Sequence, residues 1–233
     1  MRRPADPGQP ARLPRFTPAE RWAHRVTATL MMTCVITAAF LYLPQLAVLV
    51  GRRRLLVVVH EWAGLFLPVP VLVGLASRAL RRDLGRLNRF APYDRDWLRA
   101  ALRRSYRRRA GKFNAGQKVF AGWIAGASLV MLGTGLLMWF TSLSPLSWRV
   151  GANFVHDWLA LAVGVVVAGH VYMAAKDPEA RLGMRTGSVD PFWARAEHPE
   201  WDPYEDEGED EGRESSGESA GDEGAAGERP AAR

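Results

Sequence analysis

The chain has 233 residues, 48% of them hydrophobic, with a formal net charge of +7 and a mean hydropathy of -0.12. Averaged this way it resembles a basic soluble protein, but the charge is segregated: from Glu200 onward thirteen Asp/Glu face three Arg, leaving residues 1–199 with a net +17. The single cysteine, Cys34, excludes an intramolecular disulfide framework, a multi-cysteine zinc site and an iron–sulfur cluster held by this chain alone.

In chain order, residues 1–16 form an N-terminal extension. Thr17-Pro18-Ala19-Glu20 is a capping-box pattern that predicts a helix start, with Pro18 at its first position. Val26–Gly51 carries no charge, and Leu55–Ser77 carries only Glu61. The segment 78–112 is a basic loop with thirteen Arg/Lys and three Asp/Glu. Val119–Trp148 is again uncharged, and Val150–Ala175 carries only Asp157. Each apolar run is long enough for the roughly 20 residues that cross a bilayer. The expected fold is therefore an all-α membrane protein, a four-transmembrane-helix bundle. A segment 176–201 and an acidic tail 202–233 follow, the tail too poor in large apolar residues to fold.

Loop charge sets the expected orientation. The long loop is strongly basic, whereas the opposite side has only Arg52, Arg53, Arg54 and Arg149, so both termini are expected in the cytoplasm of a bacterial inner-membrane protein. The first apolar run is far longer than a signal h-region and is expected to stay as an anchor. The arginines match no nucleic-acid-binding motif, and topology with anionic lipid explains them without a nucleic-acid partner.

Four of the five histidines belong to the spans, where ionisable groups are costly and usually functional. His24 lies about 9 Å into helix one, and His170 about 9 Å before Lys176, at 1.5 Å per residue. His60-Glu61-Trp62 and His156-Asp157-Trp158 open spans two and four alike, which sets both histidines near the outer face. His156 and His170 share one face of helix four, roughly 21 Å apart. Two stacked b-type haems, one held by His24 and His170 and one by His60 and His156, satisfy all four residues.

Ordered motifs then point to a family. Lys112-Phe113-Asn114-Ala115-Gly116-Gln117-Lys118 is similar to the Asn-Ala-Gly-Gln-Lys motif of the gamma (cytochrome b) subunit of membrane-bound formate dehydrogenase. Arg15-Phe16 with Glu20-Arg21 and His24, His60-Glu61-Trp62-Ala63-Gly64, and His170-Val171-Tyr172-Met173-Ala174 support the resemblance. So do Gly183-Met184, Gly187-Ser188-Val189, Trp193-Ala194 and His198-Pro199-Glu200-Trp201. The resemblance implies two haem b groups paired as above. It also implies an iron–sulfur partner, a molybdopterin catalytic subunit that oxidises formate outside the membrane, and a quinone (menaquinone or ubiquinone) reduced near the cytoplasm. Asn114, then Gln117, are the candidate quinone-binding residues, with a polar helix cap as the alternative reading, and Lys118 is expected to snorkel to headgroups. His198 departs from the family's paired histidines and is expected to be structural or partner-facing.

Gly122 and Gly126 form a small-xxx-small pattern expected to bring helices close, with clearance for a porphyrin edge as the alternative reading, and Trp139, Trp148 and Trp158 an interfacial belt. Two rival functions fit the same residues: the cytochrome b subunit of a nickel–iron hydrogenase or another molybdopterin oxidoreductase, and a haem-free scaffold or small transporter. Higher-order assembly of the complex is compatible with each cytochrome reading.

Overall fold

A computed structural model describes residues 11–103, 105 and 108–204. The expected disorder of the acidic tail concerns residues that, beyond Tyr204, lie outside the described ones, as do residues 1–10 and three positions of the basic loop.

After a two-residue strand β1 (Leu13–Pro14), helix α1 runs Pro18–Tyr42. Thr17 caps it as expected: its backbone N–H donates to the Glu20 carboxylate at 2.6 Å, and the Glu20 N–H returns to its hydroxyl. The apolar run continues to Gly51, but the helix stops at Tyr42. Leu43 precedes Pro44, and a residue before proline is pushed out of the α region; α2 (Pro44–Val50) is a separate short helix. The second span is also divided, into α3 (Arg53–Phe66) and α4 (Val69–Gly74), because Pro68 cannot supply a helical N–H. Helices α5 (Arg78–Asn88) and α6 (Pro92–Leu102) follow, then α7 (Ala115–Trp139) and α8 (Leu146–Lys176). The chain ends with α9 (Pro178–Thr186), strand β2 (Ser188–Val189) and α10 (Pro191–Glu197). Among the described residues four helical stretches are long and apolar enough to cross a membrane: Pro18–Tyr42, Arg53–Gly74 (α3 and α4 taken together), Ala115–Trp139 and Leu146–Lys176.

These four alternate in direction. Thr37, late in α1, meets His60 of α3, while Gly74 at the end of α4 approaches Ala23, early in α1. Likewise Phe120, early in α7, meets His170, late in α8, and Thr134 meets His156. The α1–α3/α4 and α7–α8 hairpins pack closely within themselves and touch each other more sparingly. Midway along the bundle Ala127, Val163 and Val167 form the buried core, with Met31, Val35, Ile124 and Leu159 against it.

The end at which the described residues begin and finish is closed by polar structure. β1 and β2 pair antiparallel, Leu13 opposite Val189. Gly187 ends α9 with φ 96°, and its carbonyl accepts from the N–H groups of Arg15 and Phe16 at 2.8 and 3.1 Å. A Cβ at Gly187 would stand 2.7 Å from the Phe16 carbonyl oxygen, so only glycine fits. The segment 78–112, expected as a loop, carries α5 and α6 because each buries an aspartate that reaches a lysine nearby. Asp83 accepts from Lys112 Nζ at 2.8 Å, and Asp94 from Lys118 Nζ at 2.6 Å. Burial pushes the Asp83 carboxyl up to about 7, the neighbouring Glu20 carboxylate adding to the shift and the Lys112 ammonium opposing it.

Candidate functional site

The bundle brings the four span histidines together as two facing pairs. His24 of α1 and His170 of α8 have ring centroids 6.5 Å apart; His60 of α3 and His156 of α8 are 6.2 Å apart. Along α1, His24 and the His60-bonded Thr37 are separated by 13 residues, a rise of about 20 Å, so the pairs lie near opposite ends. The pair at the terminal end is exposed and the far pair half-buried.

The spacing can be tested against a ligated metal. Two imidazole nitrogens each about 2 Å from one ion, plus a ring radius of about 1.2 Å on each side, separate the ring centroids by about 6.4 Å. Both observed distances match, so the residues fit a bis-histidine iron at each level. Among the described residues no three His, Cys, Asp or Glu side chains gather as a conventional ion-binding cluster, whereas axial ligation of a haem asks for only two facing histidines.

Three neighbours of these rings carry no clear signal in the sequence. Thr37 Oγ1 lies 2.9 Å from His60 Nδ1, and Thr134 Oγ1 2.9 Å from His156 Nδ1. Phe120 stacks on His170, centroids 4.5 Å apart and planes 11° from parallel. A hydroxyl in an apolar span was the only available signal for the threonines, and intrahelical bonding explains such residues equally well.

The Asn-Ala-Gly-Gln-Lys stretch is a helix start with tight packing behind it. Asn114 Oδ1 accepts the Gln117 N–H and Gln117 Oε1 accepts the Asn114 N–H, both at 2.9 Å, a reciprocal cap on α7. Ala115 is fully buried, and a Cβ on Gly116 would stand 2.9 Å from the Trp97 ring of α6. Lys118 does not snorkel: it is 6% exposed and paired with a fully buried Asp94, which also accepts the Ala91 N–H. The covering α6 keeps this lysine from the headgroups. Gln117 precedes Phe120 by three residues, about 4.5 Å of rise, so the motif shares the end of the bundle with His24 and His170.

His198 is buried within the polar cap. Its Nδ1 lies 2.6 Å from the Gly111 carbonyl and its Nε2 3.0 Å from Arg15 Nη2, so Nδ1 donates and Nε2 accepts. Burial and the adjacent guanidinium push its pKa down to about 3, keeping the ring neutral. The same burial lowers Arg15 to about 10; that side chain also lies over the rings of Phe16, Trp193 and Trp201.

The close approach expected at Gly122 and Gly126 is not formed: no atom of another helix comes within 4 Å of a Cβ built at either, or at Gly133, so the space beside them stays open while α7 meets α8 through Ala127 and its neighbours. A Cβ at Gly135 would meet His156 at 3.6 Å. In the expected aromatic belt, Trp148 and Trp158 are exposed, whereas Trp139 packs edge-on against Trp62.

Four helices long and apolar enough to cross a membrane, with histidines facing in pairs at two levels, have the architecture that suits a haem-binding membrane bundle. A family model described as prokaryotic cytochrome b561 matches residues 15–185, and the chain belongs to that family, whose cofactor is haem b. Two curated relatives from Escherichia coli (strain K12) are similar to it. The cytochrome b556(Fdn) subunit of the nitrate-inducible formate dehydrogenase is 31% identical over 94 residues, 39% of this chain and 43% of that relative. This chain thus spans less than half the length of that relative. The cytochrome b556(fdo) subunit of formate dehydrogenase is 26% identical over 195 residues, 80% of this chain and 90% of that protein.

Proposed function

We propose that this chain is the membrane-anchoring di-haem cytochrome b subunit of a quinone-linked formate dehydrogenase. The observation that carries this reading is the pair of histidine pairs, each at the spacing of a shared metal and lying at opposite ends of one bundle. The names of the two relatives favour formate dehydrogenase over a hydrogenase as the upstream enzyme. When bound, two b haems supply one-electron redox centres between an iron–sulfur partner and a membrane quinone.

The chain's own residues divide the remaining work. His60 and His156 hold the haem at the outer face, and His24 and His170 the one on the cytoplasmic side. The basic segment 78–112 keeps that side and both termini in the cytoplasm. Residues 17–201 act as the membrane domain, with 176–201 closing its cytoplasmic end, and the acidic segment 202–233 is not part of it. Asn114 and Gln117 commit their amide carbonyls to the α7 cap, which leaves two amide NH2 groups to donate to quinone carbonyl oxygens as these gain negative charge.

The test is purification of the membrane complex through a tag on this chain. Co-purification of an iron–sulfur and a molybdopterin subunit, with formate-dependent quinone reduction, is expected. A nickel-containing partner with hydrogen-dependent reduction would overturn the formate reading.

A further inference from the structure

The outer and inner histidine pairs differ in how their second ring nitrogens are held. The Thr37 hydroxyl lies 2.6 Å from the Thr33 carbonyl and 3.1 Å from that of Cys34. The Thr134 hydroxyl lies 2.8 Å from the Val130 carbonyl and 3.1 Å from that of Met131. A hydroxyl has one proton, and in each case a backbone carbonyl receives it. Each threonine oxygen therefore accepts, and the donor at 2.9 Å is the Nδ1–H of His60 or His156. That assignment leaves Nε2 of both rings with a bare lone pair, the form needed for ligation. Each threonine also comes from the neighbouring helix rather than the histidine's own: Thr37 of α1 holds His60 of α3, and Thr134 of α7 holds His156 of α8.

The inner pair has no such arrangement. His170 lies against the Phe120 ring, and among the described residues no hydrogen bond reaches a ring nitrogen of His24 or His170. An Nδ1–H that donates makes its imidazole more basic at Nε2, and a more basic ligand favours the ferric over the ferrous state.

We propose that Thr37 and Thr134 are positioning residues that fix the His60 and His156 tautomers and lower the reduction potential at the outer level relative to the inner one. Electrons arriving at the outer face would then run downhill toward the cytoplasmic end. This inference rests on the di-haem reading above.

Redox titration of the b-type absorption in the purified complex tests it, using Thr37→Val, Thr134→Val and Thr37→Ser. Each valine variant should raise the midpoint of the outer, lower-potential component only. The expected change is roughly threefold in the ferric-to-ferrous ratio at fixed potential, about 28 mV at 59 mV per tenfold for one electron. Thr37→Ser, which keeps the hydroxyl, should titrate like the unaltered protein. Loss of the outer component in Thr37→Val but not in Thr37→Ser would also support the assignment. Two components that keep their midpoints in both valine variants, or that shift equally, would overturn it, as would a Thr37→Ser variant behaving like Thr37→Val. Absence of b-type absorption from the unaltered complex would instead sink the di-haem reading itself.

Discussion

Replacing Lys118 by Met tests whether the most family-like stretch of the chain is structural at its last position. Lys118 is 6% exposed, and its ammonium meets a fully buried Asp94 carboxylate at 2.6 Å. Removing one partner of a buried pair costs about 3–5 kcal/mol, because the other charge is left unpaired. A lysine reaching headgroups through water would cost about 1 kcal/mol or less. At about 2–4 °C per kcal/mol for a chain of this size, Lys118→Met should lower the midpoint of thermal unfolding by roughly 6–20 °C. Far-UV circular dichroism in detergent measures this. Adding Asp94→Asn should recover most of the loss, since Asn can still accept the Ala91 N–H while removing the orphaned charge. A shift of Lys118→Met below about 3 °C would refute the buried-pair argument.

Other outcomes bear on the redox site and its cap. His156→Ala should remove the outer haem and His24→Ala the inner one, each leaving the other; difference spectra with haem quantitation check this, and retention of both would contradict the pairing. Asn114→Ser keeps a side-chain acceptor at the α7 N-cap but loses the amide NH2. It should preserve the unfolding midpoint and haem content while slowing quinone reduction, and unchanged turnover would place quinone binding elsewhere. His198 contributes stability fully present above its ordinary pKa of 6.5 and lost as pH falls toward about 3, because its folded form is held neutral. His198→Gln should flatten the acid side of a stability-versus-pH profile between those values, and an unaltered profile would deny His198 that role.

The spans were legible because crossing a bilayer excludes charge over long runs, and the histidine pairing followed from depth along helices of known rise. Where spans one and two break was less so: hydropathy continues across Pro44 and Pro68, and only backbone chemistry interrupts the helices there. Helices α5 and α6 were hidden because their buried anchors, Asp83 and Asp94, are charged residues in an arginine-rich stretch, where sequence averages suggest a solvated loop. The partners of these aspartates, Lys112 and Lys118, lie 24 or more residues away along the chain, too far for local pattern to connect them. Thr37 and Thr134 are illegible in the sequence for a similar reason, since their intrahelical bonds conceal the long-range one.

On the proposed reading, this chain alone ligates two b haems through four histidines. The most direct measurement is pyridine haemochrome quantitation of the purified complex, normalised to this subunit, alongside the dithionite-reduced minus oxidised spectrum. Two haem b per chain are expected, falling to one in His24→Ala and in His156→Ala. No b-type absorption, or a single haem that survives both substitutions, would contradict it.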